Sequence, residues 1–296
     1  MKTDKPTYQS CRVCGSGNLD LYRKSGITGE LSSENFAITN YDYGITGELR
    51  KCRECGFIQC TDLEEVVSFY ENLEDQEYEK GRKERLLQEN KVLLNLKKIK
   101  PEGKLLDVGA GSGMLVEAAL QLGYEAEGIE PSKWLHETAR KHGLPIHLGT
   151  YPHPGTPGPY DIITLIDVLE HATNPLELMT NLRKGLKEDG ILVVVTPDVR
   201  SFTARLFRFK WWHYRIAHVG YFNKKNLALL SGKAGLQLLQ QKRPTWYFSA
   251  RYLAVRTLSF LPRFMRFNPP QWLDKITIPL NLRDSILAIY KPLTDA

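Results

Sequence analysis

The chain has 296 residues, of which 42% are hydrophobic and 25% charged, an ordinary composition for a soluble globular protein with one large domain and a smaller one. The hydrophilic start MKTDKPTYQS lacks the apolar core of a secretory signal, and no apolar run approaches the roughly 20 residues of a membrane span, so we expect a cytoplasmic protein. Residues 199–296 carry 17 Lys or Arg against three acids, and 17 of the 30 aromatic residues, which indicates an anionic partner such as a phosphorylated substrate, a membrane surface or nucleic acid.

Two Cys-x-x-Cys-Gly pairs lie in the first 60 residues, and in a chain of this size such pairs indicate metal binding rather than disulfides. Each pair can wrap its backbone around one side of a metal, and together they supply the four thiolates of a structural zinc ribbon: Cys11, Cys14, Cys52 and Cys55. Four sulfurs leave no open position, so we predict a folding role in a module of residues 1–62. The alternative is two unrelated cysteine pairs. Cys60 is left over as a buried or free thiol.

The stretch from Lys104 to Ser132 indicates the fold of the main domain, residues 101–296. A short apolar run predicts a buried parallel strand, and a G-x-G-x-G turn follows it, where bare backbone can approach a ligand. A helix with one apolar face comes next, and a second strand ends on Glu130. Strand, glycine turn, helix, strand and acid together make half of a nucleotide-binding α/β sheet. Residues 63–100, which precede it, are charged and helical in pattern and predict a linker or lid.

The details of this stretch distinguish among nucleotide ligands. Met114 stands where a dinucleotide loop needs its third glycine, and the lysine of a phosphate-binding P-loop is absent. Asp107 beside the turn would repel a pyrophosphate and attract a cation, and Glu130 lies where a ribose diol would be held. These features suit S-adenosylmethionine (SAM), an adenosine ligand with a cationic tail. The motifs LLDVGAGSG and GIEPS closely resemble those of the class I SAM-dependent methyltransferases. The alternative is a glycine turn in an α/β protein that binds no SAM.

The resemblance implies a set of cofactor-binding residues around the turn and the following strand ends: Asp107, Gly109, Ala110, Gly111, Gly113, Glu130, Pro131, Thr150, Asp167 and Val168. In similar methyltransferases a helix before the first strand closes over the cofactor, so Tyr70 or Tyr78 could contribute from residues 63–100. A solvated connecting helix is the alternative for that segment. Thr150 or Tyr151 is expected near the adenine.

The expected catalytic residues follow the fourth strand and lie in the last third. The run D-V-L-E-H after that strand looks like the family's motif between cofactor and acceptor. His171 in it is the candidate base, because imidazole titrates near neutral pH. The alternative is that His171 only packs against the cofactor or begins a helix. His218 and Tyr221, in H-V-G-Y-F, are expected at the acceptor pocket by the same resemblance, or else they pack an insertion.

The remaining pattern predicts a doubly wound, Rossmann-like sheet of seven strands. A helix is expected over residues 174–187 and a fifth strand over 191–195. The last strand, over 284–291, is expected to pair antiparallel with the sixth, which leaves an insertion at about 244–280. Within it, residues 251–267 alternate arginines with apolar side chains, as in a membrane-surface segment, although a lid or dimer face is slightly favoured.

The first functional hypothesis is a methyltransferase with a small-molecule or glycan acceptor, such as a sugar or a nucleotide-linked or lipid-linked molecule. The four-cysteine start resembles that of bacterial methyltransferases of sugar, polysaccharide and secondary-metabolite pathways. Methyl transfer is an in-line displacement, so the enzyme mainly holds acceptor and methyl group in place and excludes water. The alternative is an RNA methyltransferase that grips RNA with the ribbon and the basic last third; the absence of an N-P-P-Y-like motif makes nucleic acid the weaker hypothesis. A binding protein without catalysis is a third hypothesis, against which the acidic residues and glycines argue.

Overall fold

The computed structural model describes residues 9–40, 43–63, 66–258, 262, 265 and 267–293. The strands in this part of the chain are β1 Leu19–Arg23, β2 Leu49–Cys52, β3 Ile58–Cys60, β4 Lys104–Val108, β5 Glu125–Glu130, β6 Ile146–Leu148, β7 Tyr160–Ile166, β8 Leu186–Pro197, β9 Gly220–Tyr221, β10 Leu236–Lys242, β11 Trp246–Ser249, β12 Thr277–Leu280 and β13 Ser285–Pro292. The α-helices are α1 Val67–Glu71, α2 Gln76–Lys80, α3 Arg82–Leu96, α4 Met114–Gln121, α5 Lys133–Lys141, α6 Pro175–Gly185, α7 Phe202–Phe207, α8 Lys224–Lys233 and α9 Ala250–Leu258.

A seven-stranded sheet forms the centre of the molecule, in the order β10-β13-β8-β7-β4-β5-β6. Strands β4 to β8 pair in parallel, whereas β13 is antiparallel to both β8 and β10. The predicted doubly wound sheet and its antiparallel last strand are therefore confirmed. Because β4 and β7 are adjacent and parallel, their carboxyl ends open at the same edge, where ligands of such sheets bind.

Apolar side chains cover both faces of this sheet. On one face α3 and α4 pack over β4 and β5 through Leu93, Leu96, Leu115 and Ala118. On the other face Met179 and Leu182 of α6 and Leu227 and Leu230 of α8 join the core formed with β7, β8 and β13. Helices on both sides are what buried parallel strands require, because neither face of such a sheet is polar.

One boundary differs from its expected place. The helix predicted over residues 174–187 ends at Gly185, and β8 already begins at Leu186, five residues before the predicted strand. Leu186 pairs with Tyr160 across a local irregularity of register before the regular pairing of Ile162 with Ile191. The first part of β8 is mostly polar and therefore lacks the apolar pattern that predicts a strand. It forms a strand nevertheless, because backbone pairing does not need apolar side chains.

The cysteine-containing module shares its sheet with the last third of the chain. Strands β1, β2 and β3 are followed in the sheet by β9, which pairs antiparallel with β3. Phe36 and Leu49 of the module pack in one core with Trp211 and Tyr214. The described part of this module, residues 9–40 and 43–62, is thus joined to the main domain by backbone pairing and by a common core.

The insertion lies between β10 and β13, as the sequence pattern predicts. It contains β11 and β12, which pair antiparallel, with α9 between them in the chain. Thr277 Oγ1 of β12 donates a hydrogen bond to Glu84 Oε1 of α3 at 3.0 Å. Several residues of the segment 251–267, namely 259–261, 263, 264 and 266, lie outside the described residues. In the described part of the chain, no helix is both long enough and apolar enough to cross a membrane.

Candidate cofactor and acceptor site

The glycine turn after β4 brings bare backbone against its neighbours. Gly109 and Gly111 have φ angles of 77° and 55°, which favour glycine. A Cβ atom on Gly109 would lie 2.5 Å from Cγ2 of Val168, and one on Gly111 would lie 2.7 Å from the Tyr78 hydroxyl. The turn thus has no room for side chains, and Tyr78 of α2 covers it from outside.

Glu130 ties the turn to the end of β5. Its Oε2 accepts a hydrogen bond from the Gly111 amide and its Oε1 accepts one from the Ser132 amide, both at 2.8 Å. The side chain is 4% exposed. Each carboxylate oxygen keeps a second lone pair, so the group can still accept two hydroxyl donors, as a ribose diol offers.

A cavity of about 600 Å³ opens at the carboxyl ends of the parallel strands, within the size range of small-molecule sites. The glycine turn and the strand ends form its floor, and α1, α2 and α3 form its roof. The cysteine module adds Phe36 and Ile38, and the last third adds His213, Arg215 and His218. Arg215 joins these two parts, because its guanidinium donates hydrogen bonds to the carbonyls of Ala37 and Ile38.

Five of the carboxyl groups that line this cavity have raised pKa values. Burial raises the pKa of Asp107 and the pKa of Glu130 to about 7. The same cause raises the pKa of Glu89 to about 8 and that of Asp167 to about 6, and it also raises the pKa of Glu170. A low-dielectric site lined by carboxyl groups favours a cationic ligand, because a bound cation restores their charged forms.

The residues present fit the cofactor that the turn predicts. The side-chain-free turn admits close backbone contact, Glu130 can hold a diol, and Asp107 and Glu89 would face the cationic tail of SAM. Arg85, whose guanidinium lies 4.2 Å from the centre of the Tyr78 ring, also lines the cavity and can pair with a carboxylate.

The wall of the cavity also contains two imidazoles beside a carboxyl group. The rings of His171 and His218 are 4.8 Å apart, edge to face, and Glu170 precedes His171 in the turn after β7. His171 Nδ1 has two partners: the backbone carbonyl of Ala217 at 2.7 Å and the hydroxyl of Tyr70 at 2.8 Å. A hydroxyl can accept as well as donate, whereas the carbonyl can only accept, so we assign the hydrogen to Nδ1, which leaves Nε2 its lone pair. Burial lowers the pKa of His171 to about 4 and also lowers the pKa of His218, so both rings are neutral at pH 7.

Most of the cofactor-binding and catalytic residues predicted from the sequence line the first cavity. Nine of the ten predicted cofactor residues line the cavity, as do His171 and His218. Gly113 lies outside it, where it precedes α4 with a φ of 80°. Tyr221 also lies outside: it packs on Tyr214 in the buried core of the cysteine module, and its hydroxyl points to the Arg215 carbonyl at 3.5 Å.

Several lining residues are not predicted by the sequence pattern. Arg85, Gln88 and Glu89 share one face of α3, and polar residues at that i, i+3, i+4 spacing are the available signal. Glu170 stands inside the motif D-V-L-E-H, which does not reveal that its carboxyl group faces the cavity. Phe36, Ile38 and Arg215 carry no local signal, because they reach the cavity only through the packing of the cysteine module on the last third.

A second cavity of about 920 Å³ adjoins the first, since Arg85, Gln88, Asp167 and His213 line both. Its wall combines charged residues, among them Lys83, Glu84 and Asp284, with a group of aromatic residues: Phe207, Trp212, Trp246, Tyr247, Phe248 and Tyr252. Asp167 stands at the junction with a φ of 52°, a left-handed conformation that is uncommon for residues other than glycine and is often found at functional sites.

The four predicted metal ligands form one cluster away from the cavity. The Sγ atoms of Cys11 and Cys55, and those of Cys14 and Cys52, are each 3.5 Å apart, and all four lie within 4.8 Å of one another. Zinc–sulfur bonds of about 2.3 Å need sulfurs slightly under 4 Å apart, so the set fits tetrahedral zinc. Three of the four are buried, and none of the four lines the cavity.

A family model described as a methyltransferase domain matches residues 78–241. Among curated proteins, the chain is 33% identical over 112 residues to the mitochondrial ubiquinone biosynthesis O-methyltransferase of Schizosaccharomyces pombe. The matched region covers 35% of this chain and 40% of that protein. The chain is also 33% identical over 100 residues to the ubiquinone biosynthesis O-methyltransferase of Caulobacter vibrioides, with 31% of this chain and 40% of that protein covered. The chain thus spans about two fifths of the length of these curated relatives.

Two solved structures are similar over most of their own lengths. A SAM-dependent methyltransferase from Thermotoga maritima is 21% identical with a TM-score of 0.47, and the match covers 74% of this chain and 95% of that one. The CcbJ methyltransferase from Streptomyces caelestis is 15% identical with a TM-score of 0.47, and 70% of this chain and 90% of that one are covered.

Proposed function

The chain belongs to the methyltransferase-domain family, and from this premise we propose that it transfers the methyl group of SAM to a hydroxyl group on a small, ring-shaped acceptor. The observation that carries the proposal is the lining of two adjoining cavities: the first combines the glycine turn and carboxyl groups with two imidazoles, and the second contains six aromatic side chains. The ubiquinone biosynthesis enzymes that resemble this chain are named as O-methyltransferases, which supports oxygen as the acceptor atom.

At the cofactor end the protein binds and shields. When bound, SAM supplies a methyl group already activated by a positively charged sulfur, so the chain's own residues mainly position it and exclude water. Glu130 would accept hydrogen bonds from the ribose hydroxyls, and Asp107 and Glu89 would face the cationic tail. Tyr78 lies over the glycine turn and keeps water from it.

SAM affinity is expected to fall with decreasing pH. Asp107 and Glu130 have pKa values of about 7 in the folded protein, so both are largely protonated at pH 6 and ionised at pH 8. The cationic tail prefers an ionised Asp107, and the ribose hydroxyls prefer an ionised Glu130 as their hydrogen-bond acceptor. The Kd should therefore rise about tenfold from pH 8 to pH 6 for one coupled group and about a hundredfold for two. Calorimetric titration with SAM at several pH values measures this. A Kd that is constant over that range would contradict the proposed roles of these two carboxyl groups, Asp107 toward the cationic tail and Glu130 toward the ribose.

At the acceptor end, the second cavity selects and orients the acceptor. Its aromatic wall, with Trp246, Tyr247 and Phe248, suits the face of a sugar or phenol ring. Lys83 and Arg85 line the same cavity and would pair with the phosphate of a nucleotide-linked or lipid-linked acceptor. The hydroxyl then lies between Asp167 and the imidazoles of His171 and His218, which are the groups able to accept its hydrogen.

RNA is the weaker acceptor. In the described part of the last third, several of the cations that would grip a phosphate backbone are already paired. Arg243 binds Asp198 at 2.6 Å, Arg251 binds Asp274 at 3.2 Å, and Arg215 donates to backbone carbonyls. Cations held by carboxylates contribute little to counterion release on nucleic acid.

A labelled-methyl transfer screen tests the proposal. Phenols, nucleotide sugars, lipid-linked sugars and RNA are incubated with labelled SAM, and label is expected in one of the small acceptors. Gly109→Ala is the negative control. The added Cβ would collide with Val168 at the glycine turn, so this variant should transfer no methyl group. Label in RNA alone, or no label in any acceptor despite SAM binding, would overturn the proposal.

A further inference from the structure

The acceptor end of the cavity holds a compact group of three potential metal ligands. Glu170, His171 and His218 each offer a donor atom, and the three atoms lie within 4.8 Å of one another. All three residues line the cavity. This group, here called the His-His-Glu cluster, is separate from the four cysteines, and the methyltransferase turn around Asp107 and Glu130 does not include it.

Two of its atoms are buried and have no partner among the described residues. Glu170 is 1% exposed, and its Oε1 has no hydrogen-bond partner; His218 is 6% exposed, and the same is true of its Nδ1. A buried polar atom without a partner destabilises the folded protein, because it has lost its hydrogen bonds to water and gained none. Two such atoms from separate segments, both at the same cavity wall, indicate a ligand that satisfies them together.

The surrounding contacts hold the cluster in the orientation that metal ligands need. Thr196 Oγ1 donates to Glu170 Oε2 at 2.8 Å, which leaves Oε1 toward the cluster. His171 Nδ1 lies against the Ala217 carbonyl and the Tyr70 hydroxyl, so that the ring is held by this nitrogen and the Nε2 lone pair is left available. Metal-binding imidazoles generally donate their other ring N–H to a carbonyl or carboxylate in this way. The Val219 amide also donates to the Glu170 carbonyl at 2.9 Å and fixes the two segments together.

The chemistry of the donors indicates the class of ion. Two neutral imidazoles and one carboxylate form a set that suits Zn²⁺, Fe²⁺ or Mn²⁺, whereas Mg²⁺ and Ca²⁺ favour oxygen ligands throughout. Three protein ligands leave positions open to the cavity, as in catalytic rather than structural metal sites. Metal–ligand bonds of about 2.1 Å need neighbouring donor atoms about 3 Å apart, so the side chains would close by about 1–2 Å around the ion.

We propose that Glu170, His171 and His218 bind one divalent transition-metal cation whose open positions take an oxygen atom of the acceptor. Binding of the cation stands independently of methyl transfer, whereas its role toward the acceptor rests on the proposed function. A hydroxyl group bound to such a cation would have a lowered pKa and would give its proton to Asp167, which lines both cavities. The oxygen would then form its bond to the methyl group as the bond between that methyl group and the sulfur of the cofactor breaks. The cation also explains why two neutral imidazoles and a carboxyl group face the same point.

Manganese titration tests the site on the full-length protein with its cysteine cluster loaded with zinc. Binding of Mn²⁺ removes the electron paramagnetic resonance signal of the free ion, and the wild type is expected to bind about one equivalent. Glu170→Gln and His218→Ala should each weaken that binding at least tenfold. His147→Ala is the matched control, since His147 pairs with Glu127 at 2.9 Å on another part of the sheet; it should bind Mn²⁺ like the wild type. Unchanged zinc content and SAM affinity show that the variants are folded.

The outcomes separate the site from its role. No Mn²⁺ binding by the wild type up to 1 mM, or equal binding in the wild type and both cluster variants, overturns the site and leaves the cluster as a proton-accepting group. Binding that does not change the rate of labelled-methyl transfer keeps the site and overturns its role toward the acceptor. Binding in a protein that methylates none of the acceptors in the screen also keeps the site, while the proposed function fails.

Discussion

Replacing Glu130 by alanine is expected to weaken SAM binding by at least about 30-fold. The carboxylate holds the glycine turn through the Gly111 and Ser132 amides, and its remaining lone pairs are the acceptors that we propose for the ribose hydroxyls. A hydrogen bond to a charged group contributes about 1.5–3 kcal/mol, and the variant removes the ribose contacts and the anchor of the turn at the same time. Calorimetric titration with SAM measures the change in Kd.

Glu127→Ala is the matched control for this prediction. Glu127 lies on the same strand, β5, but its carboxylate contacts Lys104, His147 and Tyr160 and does not line the cavity. Its removal should change SAM affinity by less than about twofold while lowering stability, because side chains outside a binding site rarely alter its affinity directly. If Glu130→Ala binds SAM as well as the wild type, or if both variants lose affinity equally, the ribose role of Glu130 is wrong.

Replacing both Cys52 and Cys55 by serine is expected to remove about one zinc ion per chain and to unfold the cysteine module. A structural zinc contributes about 10–16 kcal/mol in isolated zinc-binding peptides, comparable to the whole stability of a typical domain. Strand β9 completes the module's sheet and Arg215 holds residues 37 and 38 at the cavity. We therefore expect the variant to lose SAM affinity as well, although no cysteine of the cluster touches the cavity. Elemental analysis and thermal unfolding measure these effects.

Cys60→Ser provides the comparison for the cysteine prediction. Cys60 is buried and its Sγ donates to Asp62 Oδ1 at 3.1 Å, and it is not part of the four-cysteine cluster. A serine hydroxyl can make the same hydrogen bond, so this variant should keep its zinc and most of its stability. A wild-type protein that is stable without zinc, or a Cys52/Cys55 variant as stable as Cys60→Ser, would refute a structural zinc site.

The elements that depend on neighbours in sequence are predictable, whereas those that depend on distant segments are not. The strand, glycine turn, helix and strand from Lys104 to Glu130 are predicted closely, because apolar periodicity and glycine positions act over a few residues. The start of β8 at Leu186 is not, because its pairing with Tyr160 depends on a neighbouring strand. The pairing of β9 with β3 has no local signal either.

The candidate site divides in the same way. Its cofactor end is predicted from one continuous motif, because residues joined by a single strand, turn and strand must lie close together in space. Tyr221 is expected in the acceptor pocket but lies in the core of the cysteine module, since the short strand β9 turns its side chain toward Tyr214. Glu89 escapes prediction because a charged residue on a helix ordinarily faces solvent, and only the packing of α3 over the cavity turns it inward.

By itself the sequence determined the parts whose chemistry is local: the glycine turn with Asp107 and Glu130, the succession of strands and helices, and two cysteine pairs able to turn around a metal. The tertiary structure alone decided which distant segments meet. It brings His218 from the last third of the chain to Glu170 and His171, and it places the cysteine module and helices α1, α2 and α3 around one cavity. The reason is physical: periodicity and turn chemistry act between near neighbours, whereas burial and an unpartnered atom depend on every segment that packs around it.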